Sequence, residues 1–244
     1  MAKRRQSASL FSRQVIALGE AAHHRLGKTT FAVIGAGGIG SYSALLLAQA
    51  GAKEVRVIDR DVVEESNLPR QCLFGAGSVG KPKAAEAQRV LSSLASPTRV
   101  RAFFEQFSPT SAKRLLSGVD VVLDCSDNYE TRSAVNSFCW RNRIPWVYAG
   151  TIGFRAMVSA VVPRRRPCFA CWTRPRTRES CAGAGVMNTA VAFCSALQVQ
   201  AAIDLACSGK SALEGGVFFA DLRKVVFAFK PLSENKGCEV CSVT

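Results

Sequence analysis

Three glycines in Gly35-Ala-Gly37-Gly38-Ile-Gly40 have the spacing that lets a backbone turn receive a phosphate. They stand between a short apolar run, Phe31 to Ile34, and a helical pattern through Leu45, Leu46 and Leu47 that stops at Gly51. In that setting Gly35 permits the turn, Gly37 lets the backbone approach an anion, and Gly40 packs helix on strand. Free N–H groups at the helix start then face the anion. Asp59 lies 19 residues beyond Gly40, at the end of the next apolar run, where it can accept from a ribose hydroxyl. The loop alone is shared by dehydrogenases, flavoproteins and adenylating enzymes. Arg70 in Ser66-Asn67-Leu68-Pro69-Arg70-Gln71, Lys83 in Gly80-Lys81-Pro82-Lys83, and Asp127 in Asp124-Cys125-Ser126-Asp127-Asn128 narrow the choice. An arginine, a lysine and a carboxylate at the carboxyl ends of strands are what a triphosphate and its magnesium ion require, and a hydride carrier does not need them. Singly, Arg70 and Lys83 read as solvated charges and Asp127-Asn128 as a turn or helix cap. Their convergence on one crevice favours the chemical reading.

Cysteine supplies a second constellation. Of ten cysteines, four form the pairs Cys168-Phe-Ala-Cys171 and Cys238-Glu-Val-Cys241. Two C-x-x-C pairs can complete a closed, tetrahedral zinc site with no open position, so the expected role is structural. One such pair alone could be a redox motif. Cys72, Cys125, Cys139, Cys194 and Cys207 fall on predicted elements or their ends and are expected to be small core residues.

The elements that must position these groups alternate. Strands are expected at Phe31–Ile34, Glu54–Ile58, 99–103, Val119–Asp124 and Pro145–Tyr148, with helices after Gly37 and over 82–95, 110–117 and 129–142. Residues 1–30 read as one or two helices behind a basic arm over 1–10. Strands alternating with helices predict an α/β fold with a doubly wound, mostly parallel, Rossmann-like sheet. Beyond residue 150 the pattern changes to a strand over 154–162, an arginine-rich loop over 163–180, a long helix over 186–207, and an antiparallel β-hairpin from Val217–Ala220 and Val225–Phe229. No repeat or linker interrupts this, so residues 1–244 are expected to form a single domain.

The chain has 244 residues, 48% of them hydrophobic, which excludes a disordered or fibrous protein. Lys and Arg number 32 against 18 Asp and Glu, a net charge of +14 that calls for an acidic partner. No helix-turn-helix, finger repeat or aromatic platform points to nucleic acid. The run Val186 to Cys207 is interrupted by Asn188, Gln198, Gln200 and Asp204 and reads as a packed helix, so no membrane span is expected. No apolar stretch follows Lys3, Arg4 and Arg5, so no export signal is read and a cytoplasmic location is expected.

Taken in order, these motifs resemble the ubiquitin-activating-enzyme-like adenylyltransferases, whose small members activate ubiquitin-fold sulfur carriers for molybdopterin, thiamine or tRNA thiolation. The likeness runs from Phe11-Ser-Arg13-Gln14 to Cys238-Glu-Val-Cys241, nearly the whole chain. It implies that Gly38 contacts ATP, that Asp59 holds the ribose, that Asn67, Arg70 and Lys83 bind the triphosphate, and that Asp127, with Asn128 beside it, ligates magnesium. It also implies that Arg13 reaches into the phosphates of a neighbouring subunit, giving a homodimer with two composite sites. Cys181 matches a segment where some members link covalently to the activated carrier, and Arg174, Arg176 and Arg178 upstream could lower its pKa. An inert thiol is the alternative. Arg164-Arg165-Arg166 with those three arginines could dock an acidic ubiquitin-fold surface, or be a solvated loop.

The implied reaction is ATP- and magnesium-dependent adenylation of the C-terminal glycine of a carrier ending in Gly-Gly, with zinc as a staple. A carboxylate nucleophile is already ionised at neutral pH, which suits a chain whose only histidines are His23 and His24. No rhodanese-like segment follows the second C-x-x-C, so a separate sulfur donor or a downstream conjugating protein is expected. The alternatives are an NAD-dependent oxidoreductase and a catalytically inactive partner subunit.

Overall fold

Side chains of the central strands alternate between two cores. Phe31 and Val33 point to one face of the sheet and Ala32 and Ile34 to the other, and Val121 and Leu123 likewise oppose Val122. A strand buried on both faces must lie inside a sheet covered by helices on each side. The computed structural model, which describes residues 10–94, 96–173 and 185–242, has that architecture. Eight strands form one sheet in the order β3-β2-β1-β4-β5-β6-β7-β8. β1 (Thr30–Ile34), β2 (Glu54–Ile58), β3 (Arg99–Phe103), β4 (Val121–Asp124) and β5 (Trp146–Ile152) run parallel. β6 (Arg155–Val161), β7 (Gly216–Asp221) and β8 (Val226–Pro231) continue it in antiparallel sense.

Helices α1 (Ser12–Leu18) and α2 (Glu20–Leu26) precede β1. α3 (Gly38–Gln49) and α4 (Lys83–Ser92) cover one face of the sheet, and α5 (Ala112–Leu116) and α6 (Tyr129–Asn142) the other. The short α7 (Phe169–Trp172) joins the second face, and the long α8 (Asn188–Ser208) joins the first. By length and composition α8 could cross a membrane, but it is packed on the sheet, with Ser195 and Gln198 fully buried and hydrogen-bonded. Gln198 donates to the carbonyls of Asp124 (2.9 Å) and Val147 (3.0 Å) and accepts from Ser43 (2.8 Å), tying α8 and α3 to the ends of β4 and β5.

Two details differ from the sequence reading. β5 runs four residues past Tyr148, because each of its seven residues pairs with β6. The expected antiparallel hairpin is present as β7 and β8, and it extends the same sheet through β6. Cys125, Cys139, Cys194 and Cys207 are buried as expected, but Cys72 is exposed, since it sits in a surface turn after Gln71 rather than on a helix or strand. The basic arm up to residue 9, and Cys181 with its upstream arginines Arg174, Arg176 and Arg178, lie outside the described residues.

Candidate active site

The sheet order reverses between β1 and β4, whose neighbours lead off in opposite directions. Such a switch point leaves a crevice at the strands' carboxyl ends. A cavity of about 500 Å³ opens there, and Gly37, Gly38, Asp59, Asn67, Arg70, Lys83, Asp127 and Asn128 all line it. Its floor is the glycine loop. Gly35 has φ +92°, a conformation that L side chains rarely adopt, and a Cβ there would lie 2.9 Å from the Cys125 carbonyl. A Cβ on Gly40 would fall 1.8 Å from the Gly35 carbonyl oxygen, so helix and turn can meet only without a side chain. Gly37, by contrast, caps α3 with nothing within 4 Å of its would-be Cβ. That space, beside the N–H groups of a helix start, fits a phosphate.

Asp59 is buried. Its Oδ2 accepts from the backbone N–H of Ala36 at 2.6 Å and its Oδ1 from that of Asp61 at 2.7 Å. Burial raises its pKa, against the pull of these two donors and of Lys83. The carboxylate therefore holds the glycine loop in place, and its remaining lone pairs stay available for a hydroxyl. Lys83 is buried at the start of α4, with Nζ 3.3 Å from Asp61 Oδ2. Arg70 donates to the Ser66 carbonyl at 2.7 Å, and Asn67 Oδ1 accepts from Glu64 N–H at 3.2 Å in a short 3-10 turn. Asn128 caps α6 by accepting from Thr131 N–H at 2.9 Å, leaving Asp127 exposed at the cavity. Asp127 is touched there by Asn128 Nδ2 at 3.3 Å. A free carboxylate opposite an anion cradle and two cations suits a magnesium ion carried by phosphates.

Arg13 is not brought to this cavity. It is exposed on α1, a helix none of whose residues is buried although Val15, Ile16 and Leu18 are apolar. Asp61 and Arg132 are among the cavity residues that the sequence reading did not single out. Asp61 pairs with Lys83, and its signal was its place two residues after Asp59. Arg132 lines the cavity from α6, and nothing in its spacing distinguished it from a surface charge.

The four paired cysteines come together on the face of the sheet covered by α5, α6 and α7, with Sγ atoms within 4.8 Å of one another. Cys168–Cys171, Cys168–Cys238 and Cys171–Cys241 are 3.9, 3.6 and 3.4 Å apart. Four thiolates around one zinc at Zn–S of about 2.3 Å would be about 3.8 Å apart, close to the three separations given, so the cluster could hold that metal. Burial pushes the Cys168 thiol up to about 11. Burial also opposes ionisation of Cys238, but the N–H groups of Cys241 and Val240 together with the Cys168 and Cys241 thiols outweigh it and hold that thiol at about 7. Buried Asn136 supports the cluster, reaching Cys168 Sγ at 3.6 Å and accepting from Phe169 N–H at 3.2 Å.

Comparison with known proteins supplies the family. The ThiF family model matches residues 11–240. The SAMP-activating enzyme E1 of Haloferax volcanii is 32% identical over 237 residues, spanning 95% of this chain and 87% of that protein. The molybdopterin-synthase adenylyltransferase of Salmonella typhimurium is 30% identical over 212 residues, 86% of this chain and 85% of that one. Among solved structures, Escherichia coli MccB with MccA-N7isoASN superposes with TM-score 0.86 at 20% identity, covering 96% of this chain and 75% of MccB, a likeness of fold. Membership of this family sets aside the dehydrogenase alternative left open by the glycine loop. The chain belongs to the ThiF family and is an adenylyltransferase.

Proposed function

We propose that the protein adenylates the C-terminal glycine carboxylate of a ubiquitin-like protein or sulfur carrier ending in Gly-Gly, using ATP and magnesium. The observation that carries this reading is the convergence of the glycine loop, Arg70, Lys83 and Asp127 on one cavity. In the proposed step a carboxylate oxygen attacks the α-phosphorus, the bond from that phosphorus to the bridging oxygen breaks, and pyrophosphate leaves. No general base is needed, because the attacking group is ionised. Asp59 positions the glycine loop and takes the ribose, and the loop N–H groups with Asn67, Arg70 and Lys83 bind the phosphates. Asp127 would hold the magnesium ion, whose charge would offset that of the departing pyrophosphate. Catalysis then rests on positioning and charge neutralisation.

Two further parts of the reading concern partners. The apolar side chains of α1, unburied in the single chain, with Ile16 78% exposed, support a homodimer in which Arg13 completes the neighbouring site. Zinc in the four-cysteine cluster would pin the C-terminal segment to the middle of the chain. Transfer of the activated carrier through Cys181 is proposed on the sequence alone, so Cys181→Ser should leave adenylation intact while abolishing any covalent carrier adduct on denaturing gels.

The test is ATP–pyrophosphate exchange with each Gly-Gly-ending ubiquitin-fold protein of the source organism. Exchange that depends on one carrier and disappears in Asp127→Ala is the expected result. ATP binding without exchange for any carrier would point instead to an inactive partner subunit.

A further inference from the structure

We infer that Arg132 is a positioning residue for the adenylation reaction: with Asp124 it clamps the Ser126 peptide, and so aims Asp127 into the cavity. The inference rests on the assignment of magnesium to Asp127 made above. Asp127 is exposed, and among the described residues the one side chain hydrogen-bonded to it, Asn128, lies at 3.3 Å, so its direction is set chiefly by the backbone that carries it. That backbone is held at every polar atom of Ser126. Its N–H and Oγ donate to Asp124 Oδ1 at 3.0 and 2.6 Å, and its carbonyl accepts from Arg132 Nη2 at 2.7 Å.

The clamp is itself fixed. Arg132 sits in the first turns of α6, where side chains lean back toward the helix start and hence toward residue 126. Its guanidinium lies 5.0 Å over the Tyr148 ring, and its Nε is 3.9 Å from Asp124 Oδ2. Asp124 is fully buried, and among the described residues neither Nε nor Oδ2 has a hydrogen-bond partner, so each charge answers the other by field rather than by a formed bond. Gly150 leaves the necessary room: a Cβ there would stand 2.6 Å from Tyr148 Oη and 3.8 Å from Arg132 Nη2. A charged side chain with only 20% of its surface exposed, stacked on a ring and hydrogen-bonded at 2.7 Å to the carbonyl before Asp127, is poorly explained as a solvated helix charge.

The experiment is a magnesium titration of the thermal protection given by ATP, a binding readout that needs no turnover. Removing an outer group that orients a metal ligand typically weakens the metal by about 10- to 100-fold. Arg132→Gln should raise the half-saturating magnesium concentration by about that factor, and Arg132→Lys by less. Because Arg132→Gln strands a buried carboxylate, Asp124→Asn/Arg132→Gln serves as the folding-safe variant and should show the same shift. Asp127→Ala should shift the midpoint too, and adding Arg132→Gln to it should shift it no further, since both act through one ligand. A midpoint unchanged in the double variant, with Asp127→Ala shifted, would overturn the role of Arg132 alone. An unchanged midpoint in Asp127→Ala would overturn the magnesium assignment and this inference with it.

Discussion

Lys83 and Arg70 bring positive charge to the cavity at different structural cost. The Lys83 side chain is 9% exposed, with its ammonium against Asp61, whose own side chain is 56% exposed. Cutting Lys83 back to alanine leaves behind a carboxylate that water can serve, so the fold should survive. Arg70 is half-buried and tethered by one bond to a carbonyl in its own turn. Each is expected to matter most when charge moves onto the leaving pyrophosphate. Loss of one such preorganised donor costs about 10²- to 10³-fold in rate. Lys83→Ala and Arg70→Ala should therefore lower kcat/KM in the carrier-dependent reaction by about that factor while thermal midpoints hardly move. A midpoint that collapses with the activity would make Lys83 a structural residue instead.

At the level of the element, the two ends of the glycine loop should separate binding from folding. Gly40→Ala forces a methyl group onto the Gly35 carbonyl, 1.8 Å from its oxygen, so α3 cannot keep its seat against β1. That variant should be strongly destabilised. Gly37→Ala meets no protein atom and should fold normally, yet its methyl occupies the phosphate space, so ATP should no longer raise the melting temperature. Helix α4 adds a pH dependence. Arg89 donates to the buried Glu86, and with Ser78 this outweighs burial and holds the carboxyl at about 2, against an ordinary value of 4.5. A depressed folded-state pKa means stabilisation that is complete above about 4.5 and is lost as the pH falls toward about 2. The gap in melting temperature between the parent and Glu86→Gln should be widest near neutrality and narrow across that window.

For the whole molecule, the four-cysteine cluster joins segments 70 residues apart and closes the C-terminal segment onto the second core. A strong chelator, or Cys241→Ser, should lower the melting temperature by several degrees, and re-added zinc should restore it only in the parent. Because four thiolates close the coordination shell, activity should fall only as far as folded protein is lost. The composite-site homodimer can be checked by mixing. Arg13→Ala and Asp127→Ala proteins should each be inactive, but reassorted together they should recover about a quarter of full activity, because half the dimers are mixed and each has one intact site. No recovery after confirmed subunit exchange would place Arg13 outside the neighbouring site. The net charge of +14 predicts that association with an acidic carrier weakens as salt is raised.

The succession of apolar runs and helical stretches determined the doubly wound sheet, because period and punctuation are local properties of the chain. The glycine spacing and the two C-x-x-C pairs were equally legible, since both chemistries need fixed residue types at short range. Arg132 and Gln198 were not. Each acquires its role from groups far away in sequence or on another element, and by itself is only a charge on a helix or a polar break in an apolar run. Which lysine would be buried, which cysteine would lie exposed, and that Asp59 grips the loop as well as facing the cavity were decided by tertiary packing. Burial and hydrogen-bond geometry exist only once the strands are side by side.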